Sequence, residues 1–183
     1  MHEVSIIYRK RVSRALFCFV LTVFSVGCAE EWVLHKIRAY DDVSREMAWG
    51  ELRIWLEPTK GVKQNSSVSW GAPYSLNIWF LLDDKSNDCT VLVENIVLFE
   101  PVINSTALDD QRLVSPFDKR FGGQKMATFR FSKLYLDYTD YFIELDYYFR
   151  GDCNVSESGQ FKAAIPTNYH EEVITLWDVL MGV

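Results

Sequence analysis

The sequence predicts a mainly β domain, an antiparallel sandwich of about seven strands with a C-terminal α-helix. Three observations carry this. Glu51–Glu57, Thr128–Ser132 and Ile143–Arg150 alternate polar and apolar residues, the period of a strand with one buried and one wet face. Trp55 and Tyr148 are the exceptions to that alternation. Ile78–Leu82 and Val91–Phe99 are more uniformly apolar, as strands covered on both sides are. Near the carboxyl end, Val173, Ile174, Trp177, Leu180 and Met181 recur at helical spacing, which puts them on one helix face.

The first segment reads as an address. Arg9, Lys10, Arg11 and Arg14 precede Ala15–Val26, an uncharged stretch that is apolar except at Thr22 and Ser25, and the small residues Gly27, Cys28 and Ala29 follow. Basic, apolar, small is the order of a signal peptide. The apolar stretch is shorter than the roughly 20 residues that a helix needs to cross a bilayer. Ser25-Val26-Gly27-Cys28 resembles the bacterial lipobox, the motif that closes a lipoprotein signal. The resemblance implies that residues 1–27 are removed and that Cys28 carries the lipid, palmitate among its acyl chains. It also implies that the chain is anchored to the outer membrane on its periplasmic side. Ala29, after the Cys, resembles outer-membrane sorting. The competing reading is cleavage after Ala29, which gives a secreted protein.

Residues 28–183 then form a single domain, a length that buries an ordinary core. The whole chain carries −6 and residues 1–27 carry +3, so the remainder carries −9 (−6 minus +3). Such a charge repels phosphate backbones, so nucleic acid is not an expected partner. Of four cysteines, Cys18 leaves with the signal and Cys28 takes the lipid, which leaves Cys89 and Cys153. In an oxidising compartment a lone pair forms a disulfide by default, with two free thiols as the alternative. Asn65, Asn104 and Asn154 each begin an Asn-X-Ser/Thr triplet, which in a eukaryotic secreted glycoprotein marks surface loops.

Along the domain, Trp32–Ala39 reads as the first strand. Pro58–Gly71 is polar with Gly and Ser and reads as a loop. The polar turn Asp83–Asp88 suits a hairpin between the two apolar runs. The segment 101–123 reads as a long functional loop, or as one hiding a short strand. After Pro166, Asn168 with Glu171 three residues on resembles a capping box that starts the terminal helix.

The chemistry is sparse. His35 and His170 are read as surface or cap residues. Gly122-Gly123-Gln124-Lys125 lacks the phosphate-loop pattern. Asp83, Asp84 and Asp88 are read as a solvated tip rather than a calcium loop. No catalytic set, metal site or cofactor is expected. Asp137 and Asp140 with His170 carry the alternative of an extracytoplasmic hydrolase. Aromatics are 15% of the chain, and Trp70, Tyr74, Tyr135, Tyr138 and Tyr169 lie in or beside predicted loops. Tyr and Trp are favoured at binding hot spots. With Asp137 and Asp140 they form the expected contact set for a protein partner, a basic one by charge. The expected function is a non-catalytic protein-binding lipoprotein, of the immunity or the secretion and assembly type.

Overall fold

The computed structural model describes residues 33–83, 88–102, 105–153 and 158–175. The segment expected to be a signal, Cys28, Asp84, Asn104, Asn154, Trp177, Leu180 and Met181 lie outside them. Every regular element among the described residues is a strand. In chain order these are β1 (Val33–Tyr40), β2 (Val43–Met47), β3 (Gly50–Gln64), β4 (Ser67–Leu82), β5 (Cys89–Glu100) and β6 (Ser105–Pro116). Then follow β7 (Lys119–Phe121), β8 (Gln124–Leu134), β9 (Tyr141–Gly151), β10 (Ser158–Ile165) and β11 (Thr167–Ile174). Leu34–Val173 form one compact unit.

Two sheets stack. The larger runs β11-β1-β4-β3-β2, with β8 also on β4 and β7 on β8; the smaller runs β10-β9-β5-β6. β4 is the hub: its first residues pair with β1, in parallel, from Leu34↔Ser67 to Ile37↔Trp70, and its later residues pair with β8. The core lies between the sheets. Leu52, Ile54 and Leu56 of β3 and Leu76, Ile78 and Phe80 of β4 face Val91, Val93, Ile143, Leu145 and Phe161 of the smaller sheet. The alternation read in β3, β8 and β9 is this inward set. The apolar runs are the two central strands, β4 and β5.

Several expectations are corrected. The sandwich has eleven described strands rather than about seven. The helix expected from Asn168 is not formed there, because Thr167–Ile174 is β11, at one end of the larger sheet beside β1. Thr167, Tyr169, Val173 and Ile174 are β-branched or aromatic, types that fit a pleated surface, and β1 offers them a backbone partner. Asn168 does not cap; its side-chain amide donates to Asp41 Oδ1 at 2.7 Å. Pro58–Gly71 is not a loop but the far part of the β3–β4 hairpin, which turns at Asn65 and Ser66. Asn65 has a φ of 53° there, a left-handed conformation that Asn tolerates. Of the two readings of 101–123 the one with a hidden strand holds: the segment contains the short β7 and also the longer β6, paired to β5 from Thr90↔Pro116 to Glu100↔Ser105. The turn after Leu82 closes no hairpin, since β4 and β5 belong to different sheets.

The expected disulfide is present. Cys89, at the start of β5, bonds Cys153, just beyond β9, with Cα atoms 4.8 Å apart. β5 and β9 are already neighbours there, with Cys89 opposite Gly151.

Candidate functional site

Lys36 and Arg38 alternate with Ile37 on β1 and so share one face of the larger sheet. Register carries that face across the sheet: Lys36 lies opposite Ser69 on β4, Ser69 opposite Val62 on β3, and Gly71 opposite Lys60. Together with Trp70, Tyr138 and Tyr169, these residues line an open groove of about 660 Å³. The size is that of an ordinary ligand site. Among the described residues, no carboxylate lies within 4.0 Å of Lys36, Arg38 or Lys60. A chain that is acidic overall thus gathers in one place three cations that form no ion pair among the described residues.

The groove stands on a cluster of tyrosines. Tyr40 meets Tyr74 edge-on at 5.2 Å, Tyr138 at 6.0 Å and Tyr141 at 6.1 Å. Tyr40 Oη donates to the Asp137 carbonyl at 2.8 Å, and Tyr74 Oη to the Arg38 carbonyl at 2.9 Å. These bonds fix the loop before β9 and the strand that bears two of the cations. Burial, reinforced by the neighbouring phenols, pushes Tyr40 far above its ordinary value, and burial likewise pushes Tyr74 up to about 12. Both stay neutral at physiological pH. Tyr138 joins cluster to groove. Its ring lies 5.8 Å from the Arg38 guanidinium, in reach of a cation–π contact, and burial raises its pKa. Its Oη is buried with no hydrogen-bond partner among the described residues, an uncommon state for a buried donor.

The residues expected to bind a partner are only partly brought together. Trp70, Tyr138 and Tyr169 line the groove. The Trp70 indole donates to His35 Nδ1 at 3.1 Å and lies across Gly61, where an added Cβ would stand 3.0 Å from the indole ring. Tyr74 is core, 1% exposed, and cannot contact a partner. Tyr135 is exposed but does not line the groove, and neither does Asp137. Asp140 accepts from the Thr167 amide at 2.8 Å and the Thr167 hydroxyl at 3.0 Å. It therefore ties the loop bearing Tyr138 to the strand bearing Tyr169. Tyr169 donates to Glu171, and that bond, with the negative charge beside it, holds the phenol proton on. His170 stands 3.9 Å from Glu172, both exposed. No group of three or more His, Cys, Asp or Glu among the described residues is arranged to hold a metal.

Sequence reasoning missed Lys36, Arg38 and Lys60. The cations two apart on a predicted strand were a usable signal for a charged face. Their meeting with Lys60 and Tyr169 was not, because it depends on the pairing of β1 between β11 and β4. No protein-family model matches this chain, and neither a curated protein nor a solved structure matches it.

Proposed function

We propose that this chain is an exported, lipid-anchored module that acts without catalysis and binds another protein through the cationic groove. The observation that carries the reading is the groove itself, with three cations that form no ion pair among the described residues and with aromatic walls. The signal-like segment with its lipobox-like end supports the anchor. Asp140 supports the non-catalytic reading, since its carboxylate serves as a brace between two elements. The acidity of the whole domain suits a basic partner elsewhere on the surface. At the groove, however, the local charge is positive, so the segment docked there is acidic. Its carboxylates would meet Lys36, Arg38 and Lys60.

The test uses a photo-crosslinker at position 169 in cells that make the native protein. Adducts should map to an acidic segment of one protein. Lys36→Glu combined with Lys60→Glu should weaken that partner's binding at least tenfold, and wild-type binding should fall with salt. Both are surface changes, so unfolding stability should shift by no more than about 0.5 kcal/mol. Unchanged affinity in the double variant would refute the groove as the docking site.

The anchor has its own test. The intact mass of native protein should fit a chain starting at Cys28 with added acyl groups, and should gain two hydrogens on reduction of the Cys89–Cys153 bridge. A chain starting at Glu30 without lipid would make it a secreted protein. Asn65 favours the glycoprotein alternative to one degree: it is exposed at the hairpin tip. Mass lost on glycosidase treatment would establish that alternative, and no loss would remove it.

A further inference from the structure

A second cavity opens on the larger sheet and shares no residue with the groove. Arg53 alternates with the core residues Leu52 and Ile54, so it projects from the face turned away from the core. Ser44, Arg53, Trp79 and Thr128 stand abreast on β2, β3, β4 and β8. Trp55 occupies the next row of β3. The Trp55 and Trp79 rings meet edge to face, 4.6 Å between centroids, and Phe121 of β7 adds a third ring 5.4 Å from Trp79. The cavity holds about 480 Å³.

Its polar groups are arranged around one arginine. Arg53 Nη2 donates to Glu51 Oε2 at 2.7 Å, and Ser44 Oγ donates to the other oxygen of the same carboxylate. The guanidinium lies 5.5 Å from the Phe121 ring. Arg53 Nε is buried with no hydrogen-bond partner among the described residues. Asp42 also lines the cavity. Burial, then the neighbouring Asp41, pushes its carboxyl above the ordinary carboxylate range.

We infer that this cavity binds a short neutral saccharide. The charges exclude the other ligands that aromatic walls suit. A methylated amine would meet the Arg53 guanidinium, which already takes the place of a cation against Phe121. An anion would meet Asp42 and Glu51. A sugar ring brings a flat apolar face of C–H groups, which packs against indole, and a rim of hydroxyls. Each hydroxyl both donates and accepts, so one could accept from the exposed part of the Arg53 guanidinium and another donate to Asp42. Aromatic walls with a few convergent polar groups are the general form of a small-molecule site. The inference does not rest on the protein-binding groove, and Lys36 and Lys60 take no part in it.

The test titrates the full-length native protein with cellotriose, maltotriose and chitotriose, read by tryptophan emission and by saturation transfer to the sugar protons. At least one should give a saturable shift. Phe121→Ala and Asp42→Asn should each weaken it at least tenfold, and the Lys36→Glu, Lys60→Glu double variant should bind as the wild type does. Phe121 is 42% exposed on a three-residue strand, so its loss leaves the core intact, and Trp79→Phe gives a second, size-conserving variant. The inference fails if none of the three sugars saturates below about 20 mM, the range of very weak binding. It also fails if the Phe121 and Asp42 variants bind as tightly as the wild type.

Discussion

Replacing Trp49 with alanine is expected to destabilise the fold by about 3–5 kcal/mol, the range for truncating a large buried aromatic. Trp49 stands in the two-residue turn between β2 and β3, where Met47 pairs with Gly50. Turn residues are usually wet, yet Trp49 is 3% exposed. Its ring stacks on Phe80 at 5.6 Å and reaches the smaller sheet edge-on, 5.8 Å from Tyr147 and 5.1 Å from Phe149. Its indole donates to Tyr147 Oη at 3.4 Å. It thus plugs one end of the space between the sheets. Gly50 lets the turn fold inward: its φ is +142°, and a Cβ there would come within 2.0 Å of the Leu81 carbonyl oxygen. Alanine at 49 would leave a cavity among three rings and strip the Tyr147 hydroxyl of a partner. Urea unfolding followed by circular dichroism measures the loss, with Trp55→Ala as the control. Trp55 is half-buried on the outer face and outside the core, so its loss should be clearly smaller. A Trp49 effect no larger than that of Trp55 would show that the turn is not a core element.

Much of the fold was written in local periodicity, and its limits follow from what periodicity measures. Alternation found β3, β8 and β9 because each has one face on the core. It failed in residues 58–71, where neither face of the hairpin holds a buried residue. A strand with no face on the core has no period and looks like a loop. The helix expectation failed for a different reason: a few apolar residues at the chain end fit the helical period, and β-branched and aromatic residues from Thr167 to Ile174 decided for strand once β1 lay alongside. The turn after Leu82 shows a third limit. A polar turn between two apolar strands looks the same whether the chain turns back in its own sheet or crosses to the other. The two residues that broke the alternation were informative instead. Trp55 and Tyr148 are aromatics on an outward face, and Trp55 lines the second cavity. Of the candidate binding residues, Trp70 and Tyr169 converge because β1 lies between β4 and β11, and Tyr138 joins them through the Asp140 tie to Thr167, contacts that no short window of sequence contains.

Removing the Cys89–Cys153 bridge should cost about 2–5 kcal/mol, whether by reduction or by alanine at both positions. The bridge closes a long span, a sequence separation of 64, and loop-closure entropy for that length corresponds to roughly 4 kcal/mol at room temperature. In the folded chain the bridge adds little that the sheet does not already supply. Cys89 sits opposite Gly151 and Thr90 opposite Arg150, and the Asp152 amide donates to the Asp88 carbonyl at 3.3 Å. The effect should therefore act mainly on the unfolded state. Urea unfolding distinguishes the cases. If the bridge works by restraining the unfolded chain, its loss lowers the midpoint and steepens the denaturant dependence, because the released chain exposes more surface. A lower midpoint at unchanged slope would place the contribution in native contacts around Cys89, which is 3% exposed. The entropic case carries a consequence for the groove. Lys36, Arg38, Lys60, Trp70 and Tyr169 all lie outside the closed loop, and only Tyr138 lies within it. Partner binding should then persist in the reduced protein at temperatures where the fold survives, and disappear with the fold rather than before it.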